Sequence, residues 1–94
     1  AASPNDGTVL DTLAWVQHLL GDDMSAAKTI YQAVRRVPAV AEMRLHAAII
    51  NAAVGARAVA ENELKAALLL NPAFEGREDV KQLRASLAKA AATP

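Results

Sequence analysis

The sequence predicts an all-α protein, an α-α solenoid of two helix-turn-helix repeats closed by a C-terminal capping helix. Three observations predict it. Prolines stand 34 residues apart at Pro4, Pro38 and Pro72, and glycines stand 34 apart at Gly21 and Gly55. Alanine and leucine supply most of an apolar fraction of 53% in which only the single Trp, Tyr and Phe are aromatic. Both are strong helix formers, whereas strand formers never cluster in period-two alternation between turn signals. A fixed stride of this length marks stacked supersecondary units.

Each element follows in order. Residues 1–6 form a linker or the end of a preceding repeat, with Asn5 or Asp6 placed to cap the first helix. Repeat 1, residues 7–38, holds helices over Thr8 to Leu20 and Met24 to Val37. Gly21 between them takes the left-handed conformation that ends a helix, and Asp22 caps the next one. Pro38 stops the unit because it cannot continue a helix. Repeat 2, residues 39–72, repeats the plan with helices over Met43 to Val54 and Val59 to Leu70, a turn at Gly55 and a stop at Pro72. It enters through Ala39-Val40-Ala41, which offers no capping side chain. Residues 73–89 form the capping helix, starting at Phe74 and running to about Lys89, with Val80, Leu83 and Leu87 on its inner side. Arg77, Glu78, Lys81, Gln82 and Arg84 cover its other faces, as the soluble end of a solenoid requires. Residues 90–94 are a tail expected to fray.

The same stride relates Leu13 to Ala47, Ala14 to Ala48, Ala26 to Ala60, Ile30 to Leu64 and Ala33 to Ala67, each 34 apart. Small residues at Ala14, Ala48, Ala26 and Ala60 allow paired helices to approach closely. Leu13, Val16 and Leu20, then Ile30, Ala33, Val34 and Val37, supply a helical-spaced apolar stripe. Val9, Leu10, Leu13 and Val16 exceed what one neighbour can cover, so some of them are expected to face a preceding repeat. That makes the chain the C-terminal part of a longer array, able to form a homo-oligomer through its uncapped N-terminal face.

Composition excludes several functions. Ten basic and ten acidic residues leave no net charge, and no basic stripe exists, so no nucleic-acid partner is expected. Arg35 and Arg36 are a solvated helix end. Without cysteine there is no disulfide or thiolate metal site. The uncharged run from Leu45 to Ala56 is too short for a bilayer, which needs about 20 apolar residues, so this segment does not insert in a membrane. No signal segment is visible, which leaves the compartment open. No cofactor is expected and the chain is not read as an enzyme. Ser25 sits at a helix start as a capping residue, Ser86 lies on the closing helix, and no glycine-rich phosphate loop exists. His18 and His46, 28 apart, lie near only Asp11, Asp22 and Glu42, too sparse a set for a metal.

The ordered set Ala14, Gly21, Ala26, Ile30, Ala33, Pro38, and again Ala48, Gly55, Ala60, Leu64, Ala67, Pro72, resembles the tetratricopeptide repeat. The resemblance runs from Asn5 to Pro72, and the phrase Leu10-Asp11-Thr12-Leu13-Ala14-Trp15 is similar to the last repeats of bacterial members. It departs at Gln17 and Asn51, where the family often has tyrosine, and at Arg44, where it has an apolar or aromatic residue. The resemblance implies a right-handed superhelix whose concave side is lined by the first helix of each pair.

It also implies a scaffold that binds a protein or peptide segment. The implied groove positions are Thr8, Asp11, Thr12, Trp15, His18 and Leu19, then Glu42, Leu45, His46 and Ile49. Trp15 is expected to pack toward Leu45 and Ile49, to stand exposed as an anchor, or both. Positions that grip a carboxylate terminus in some members carry Asp11, Trp15, Glu42 and His46 here, which disfavours that ligand. If Asp11 and Glu42 face the groove, a basic or neutral peptide suits it. A second reading is a spacer or end-cap of a longer solenoid with no ligand of its own, and a remote third is a metal-binding or catalytic helical domain.

Overall fold

The structure, a computed structural model, describes residues 6–92. It is all-helical, with α1 (Gly7–Leu19), α2 (Asp23–Arg36), α3 (Ala41–Ala53), α4 (Arg57–Leu70) and α5 (Glu78–Ala92), and a 3-10 turn over Pro72–Gly76 between the last two. No strand occurs among the described residues. Pro4 and the Asn5 cap lie outside them. The cap of α1 is Asp6, whose carboxylate accepts from the Thr8 N–H at 2.8 Å and the Val9 N–H at 3.4 Å.

Both glycine turns close identically. Gly21 has φ +85 and Gly55 φ +80. The Asp22 N–H bonds to the Gln17 carbonyl at 2.9 Å and the Gly21 N–H to His18 at 2.9 Å. Thirty-four residues on, Ala56 bonds to Asn51 at 2.9 Å and Gly55 to Ala52 at 3.1 Å. This 6→1 and 5→2 pairing satisfies the carbonyls a helix end leaves open. A Cβ at either glycine would meet nothing within 4 Å, so the cost of a side chain is purely conformational. Gly21→Ala and Gly55→Ala are each expected to destabilise by about 1–2 kcal/mol. Urea unfolding checks this, and a clear inequality between the two sites would contradict it.

Capping is uneven. The Asp22 carboxylate accepts from the Ser25 N–H at 3.3 Å, so Asp22 is the cap and Ser25 lies inside α2 rather than capping it. Neither Val40 before α3 nor Ala56 before α4 makes a side-chain cap bond. Those two helices depend on packing. The closing helix differs from the expected one. The Asn71 side chain accepts from the Ala73 N–H at 3.1 Å and Pro72 holds the first position of the 3-10 turn. Phe74 therefore sits in that turn and not in a helix. Arg77 is extended, and Glu78 and Asp79 open α5 with negative charge in its first turn, which favours nucleation there. At the far end α5 continues through residues 90–92, so only Thr93 and Pro94 of the expected tail remain outside the described residues.

Two apolar clusters hold the helices. The first joins Leu10 and Ala14 of α1, Ala26, Ile30 and Ala33 of α2, and Met43, Ala47 and Ile50 of α3. The second joins Leu45 and Ala48 of α3, Ala60, Leu64 and Ala67 of α4, and Val80, Leu83 and Leu87 of α5. Thus α3 belongs to both, packed by α1 and α2 on one flank and by α4 and α5 on the other. Ala14, Ala26, Ala48 and Ala60 are all fully buried, as close helix approach requires. The expected α1 stripe is corrected. Leu13, Val16 and Leu20 are 46%, 46% and 79% exposed, because α2 and α3 pack on the neighbouring row through Leu10 and Ala14.

The unusual residues acquire explanations. The Arg44 guanidinium donates to the Pro38 carbonyl at 2.9 Å and to Glu63 at 2.7 Å, tying α3 to the inter-repeat loop and to α4. The Asn51 amide donates to the Ala47 carbonyl at 2.8 Å. The Gln17 Oε1 is buried and finds no hydrogen-bond partner among the described residues. A buried unpaired acceptor is costly, so Gln17→Met is expected to stabilise by about 1 kcal/mol. A fall in the urea midpoint would show that the amide is satisfied after all.

Candidate functional site

The face shared by α1 and α3 carries a continuous ladder of aromatic and ionisable side chains, extended by α5. Trp15, one helical turn before His18, projects toward α3. Its ring stacks on His46 with centroids 4.3 Å apart and planes at 24°, and lies tilted against His18 at 4.9 Å. Each histidine is held on its outer side by a carboxylate. His46 Nδ1 is 2.7 Å from Asp11 Oδ1, and His18 Nδ1 is 2.5 Å from Asp23 Oδ1. In both cases the ring N–H donates to the carboxylate, which fixes the imidazole plane against the indole. Trp15 also packs on the first apolar cluster. Its indole N–H makes no hydrogen bond among the described residues.

The ladder continues through Glu42, whose Oε1 is 4.0 Å from His46 Nε2. Glu42 accepts from Arg77 at 2.7 and 3.3 Å, and Arg77 also donates to Asp79 at 2.8 and 3.1 Å. The Arg77 guanidinium lies over the Phe74 ring at 4.6 Å, which explains the 3-10 turn's place in the architecture. The hydrogen bond from Arg77 holds the Asp79 carboxyl below its ordinary 3.8, partly opposed by desolvation. The same bond to Asp79, with Glu42 adding to it, pushes the guanidinium up. Half-exposed pairs of this kind stabilise little individually.

The pH consequence has a definite sign. A carboxylate with a depressed pKa contributes stability above its unfolded value and loses it as pH falls through the folded value. The difference in urea midpoint between the wild type and Asp79→Asn should therefore be steady above about pH 5 and shrink below 3.8. A difference that grows on acidification would contradict the pairing.

Beside the ladder lies an open depression of about 380 Å³, lined by His18, Ile49, Ala52 and Ala53 with Asp79, Gln82, Leu83 and Ser86 of α5. Ile49, Ala52 and Leu83 make its floor apolar. Gln82 and Ser86 contribute amide and hydroxyl groups that both donate and accept.

The predicted groove positions divide. Asp11, Trp15, His18, Glu42 and His46 come together in the ladder, and Ile49 joins His18 at the depression. Thr8 and Thr12 are exposed on the outer edge, where the Thr12 hydroxyl donates to the Thr8 carbonyl at 3.1 Å. Leu19 is 69% exposed and lies outside the depression. Leu45 is fully buried in the second cluster and is no groove residue, because α4 and α5 close over that side of α3. Trp15 stacks on His46 instead of joining the cluster that holds Leu45 and Ile49. Asp11 and Glu42 do not stand ready for a basic ligand, since His46 and Arg77 already occupy them. Gln82, Ser86 and Asp79 escaped the sequence reading, which treated the polar side of the last helix as solvent-facing.

Among the described residues no group of three or more His, Cys, Asp or Glu could hold a metal ion, and no helix is long and apolar enough to cross a membrane. Searches of family models, curated proteins and solved structures find no match to this chain.

Proposed function

We propose that the chain is a protein-interaction module of the tetratricopeptide type, a right-handed α-α superhelix that holds an extended segment of a partner along the α1, α3 and α5 face. The observation that carries this reading is Trp15, set between two histidines with its indole N–H unpartnered among the described residues. A pre-oriented aromatic with an open donor suits a peptide carbonyl, and tryptophan is enriched where binding energy concentrates. The adjoining apolar floor would take an aliphatic side chain, while Gln82 and Ser86 would bond its backbone. Because Asp11 and Glu42 are already hydrogen-bonded by His46 and Arg77, the favoured ligand is uncharged in that stretch.

Trp15 is the sole tryptophan, so its fluorescence reports on the site directly. Titration with neutral aliphatic, acidic and basic peptide pools is expected to give a saturable change with the neutral pool, weakened by Gln82→Ala with Ser86→Ala. A flat response to all pools at millimolar peptide would remove the reading.

One observation favours a second reading, a spacer or end-cap without a ligand. The pairs Asp11 with His46 and Glu42 with Arg77 let the face satisfy itself. On that reading the fluorescence stays flat while Arg77→Met lowers stability, since the ladder then serves only to join α3 to α5.

A further inference from the structure

The side of α3 turned away from the Trp15 ladder borders a second opening. Arg44, Ala47 and Asn51, at spacings of three and four, lie on the flank of α3 opposite Glu42, His46 and Ile49. With α2 and α4 they line an open groove of about 700 Å³, within the size range of small-molecule clefts. Ile30 and Val34 of α2, Ala47 of α3 and Val59 of α4 supply its apolar surface, and Val59 is 48% exposed there. The charge on the lining is one-sided. Lys28, Arg35 and Arg44 stand against Glu63, an excess of two positive charges in a chain with no net charge. Arg44 and Glu63 satisfy each other at 2.7 Å, and Arg57, Arg77 and Arg84 each meet a carboxylate elsewhere. Lys28 and Arg35 meet none among the described residues. Arg35 donates one N–H to the Tyr31 hydroxyl at 3.0 Å. Its other N–H groups and the phenol proton find no acceptor among the described residues.

We infer that this groove binds a small amphipathic carboxylate, an acid with an aliphatic body, at a site separate from the peptide face. A carboxylate at the Tyr31–Arg35 pair accepts from the phenol and from the guanidinium, a charge-assisted arrangement for which arginine is suited. Lys28 lies one turn before Tyr31 on the same side of α2 and adds a second positive charge. On the α4 wall Glu63 is itself an acceptor, already bonded to Arg44, and offers an anion no donor. The acid end therefore lies on α2, and the apolar body runs over Ile30, Val34 and Ala47 toward Val59. A cationic head is repelled by the same wall, and an uncharged ligand gains only the apolar contact. Every lining residue comes from α2, α3 or α4, so the site is complete within these three helices.

The probe is decanoate, titrated into the whole chain and followed by its methyl and amide resonances. Saturable binding is expected with a dissociation constant of about 1 mM or below, the scale for a ligand of this size. The shifts should centre on Ile30, Tyr31, Val34 and Val59. Decyltrimethylammonium has a tail of the same kind and the opposite charge, and should bind about ten-fold more weakly or worse. Tyr31 is 61% exposed and Arg35 is exposed too, so Tyr31→Phe with Arg35→Gln leaves the core intact. That pair should weaken decanoate about ten-fold without weakening decyltrimethylammonium. Lys28→Gln, on the same wall, should lower decanoate affinity in the same direction. No saturation below the concentration at which decanoate aggregates overturns the proposal. So does equal affinity for the two probes, or decanoate binding undiminished in both variants. Shifts centred on Ile49 and Leu83 put the ligand in the depression beside His18 and overturn it as well. Peptide binding at Trp15 is read separately, and its failure leaves the decanoate result standing.

Discussion

Ile30→Ala is expected to lower the free energy of unfolding by roughly 2–5 kcal/mol, which for a domain of this size is a large share of the whole. Ile30 is fully buried at the centre of the first cluster, flanked by Ala26 and Ala33 of its own helix and by Met43 and Ile50 across the interface. Alanine residues around it cannot move inward to fill the space, so the cavity persists and the cost falls at the upper part of the range. The two clusters share only α3, so the loss should not spread evenly. Nearest-neighbour stacking predicts that amides of α1 and α2 exchange faster while those of α4 and α5 keep most of their protection. Leu64→Ala should produce the mirror image. Hydrogen exchange that accelerates uniformly in both variants would show a single cooperative core instead.

Trp15→Ala is expected to weaken binding of a neutral aliphatic peptide by about 2 kcal/mol or more, some 30-fold, the range of a central anchor. Trp15→Phe keeps the stack on His46 but loses the indole donor, and should fall between. The readout is calorimetry, since the fluorophore is gone. Stability must be followed in parallel, because the ring also packs on the first cluster. If Trp15→Ala destabilises the chain but leaves peptide affinity unchanged, the residue is structural and the binding face lies elsewhere.

Most of the architecture was legible because it is written in punctuation. Gly21 and Gly55 stand where only a residue without Cβ adopts positive φ cheaply, and Pro38 and Pro72 stand where a helix must stop. These are local requirements, readable from one residue at a time. The start of α5 was not legible, because an Asn cap, a proline and a 3-10 turn compete with helix over the same five residues Pro72–Gly76. The α1 row was misassigned because periodicity says which residues share a side, not which neighbour covers it. At the candidate site, the resemblance implied the first-helix positions Asp11, Trp15, His18, Glu42 and His46. Their pairing was invisible, since Asp11 and His46, or Glu42 and Arg77, lie 35 residues apart and meet only through packing. Leu45 shows the same limit. Its place on the first helix of a pair implied the groove, and only the position of α4 and α5 sent it inward.

The position of α3 between two clusters has a consequence for how the proposed peptide specificity could change. Of its thirteen residues Ala41–Ala53, five are buried and only Ala53 is exposed. Drift on this segment therefore disturbs either one side of the core or the fixed stack under Trp15. New specificity has to arise at the margins, on the outer turns of α1 and along Gln82 and Ser86, where a side chain can be exchanged without unseating a neighbour. Directed evolution for a different peptide should accumulate its accepted changes there and leave the middle of the molecule untouched.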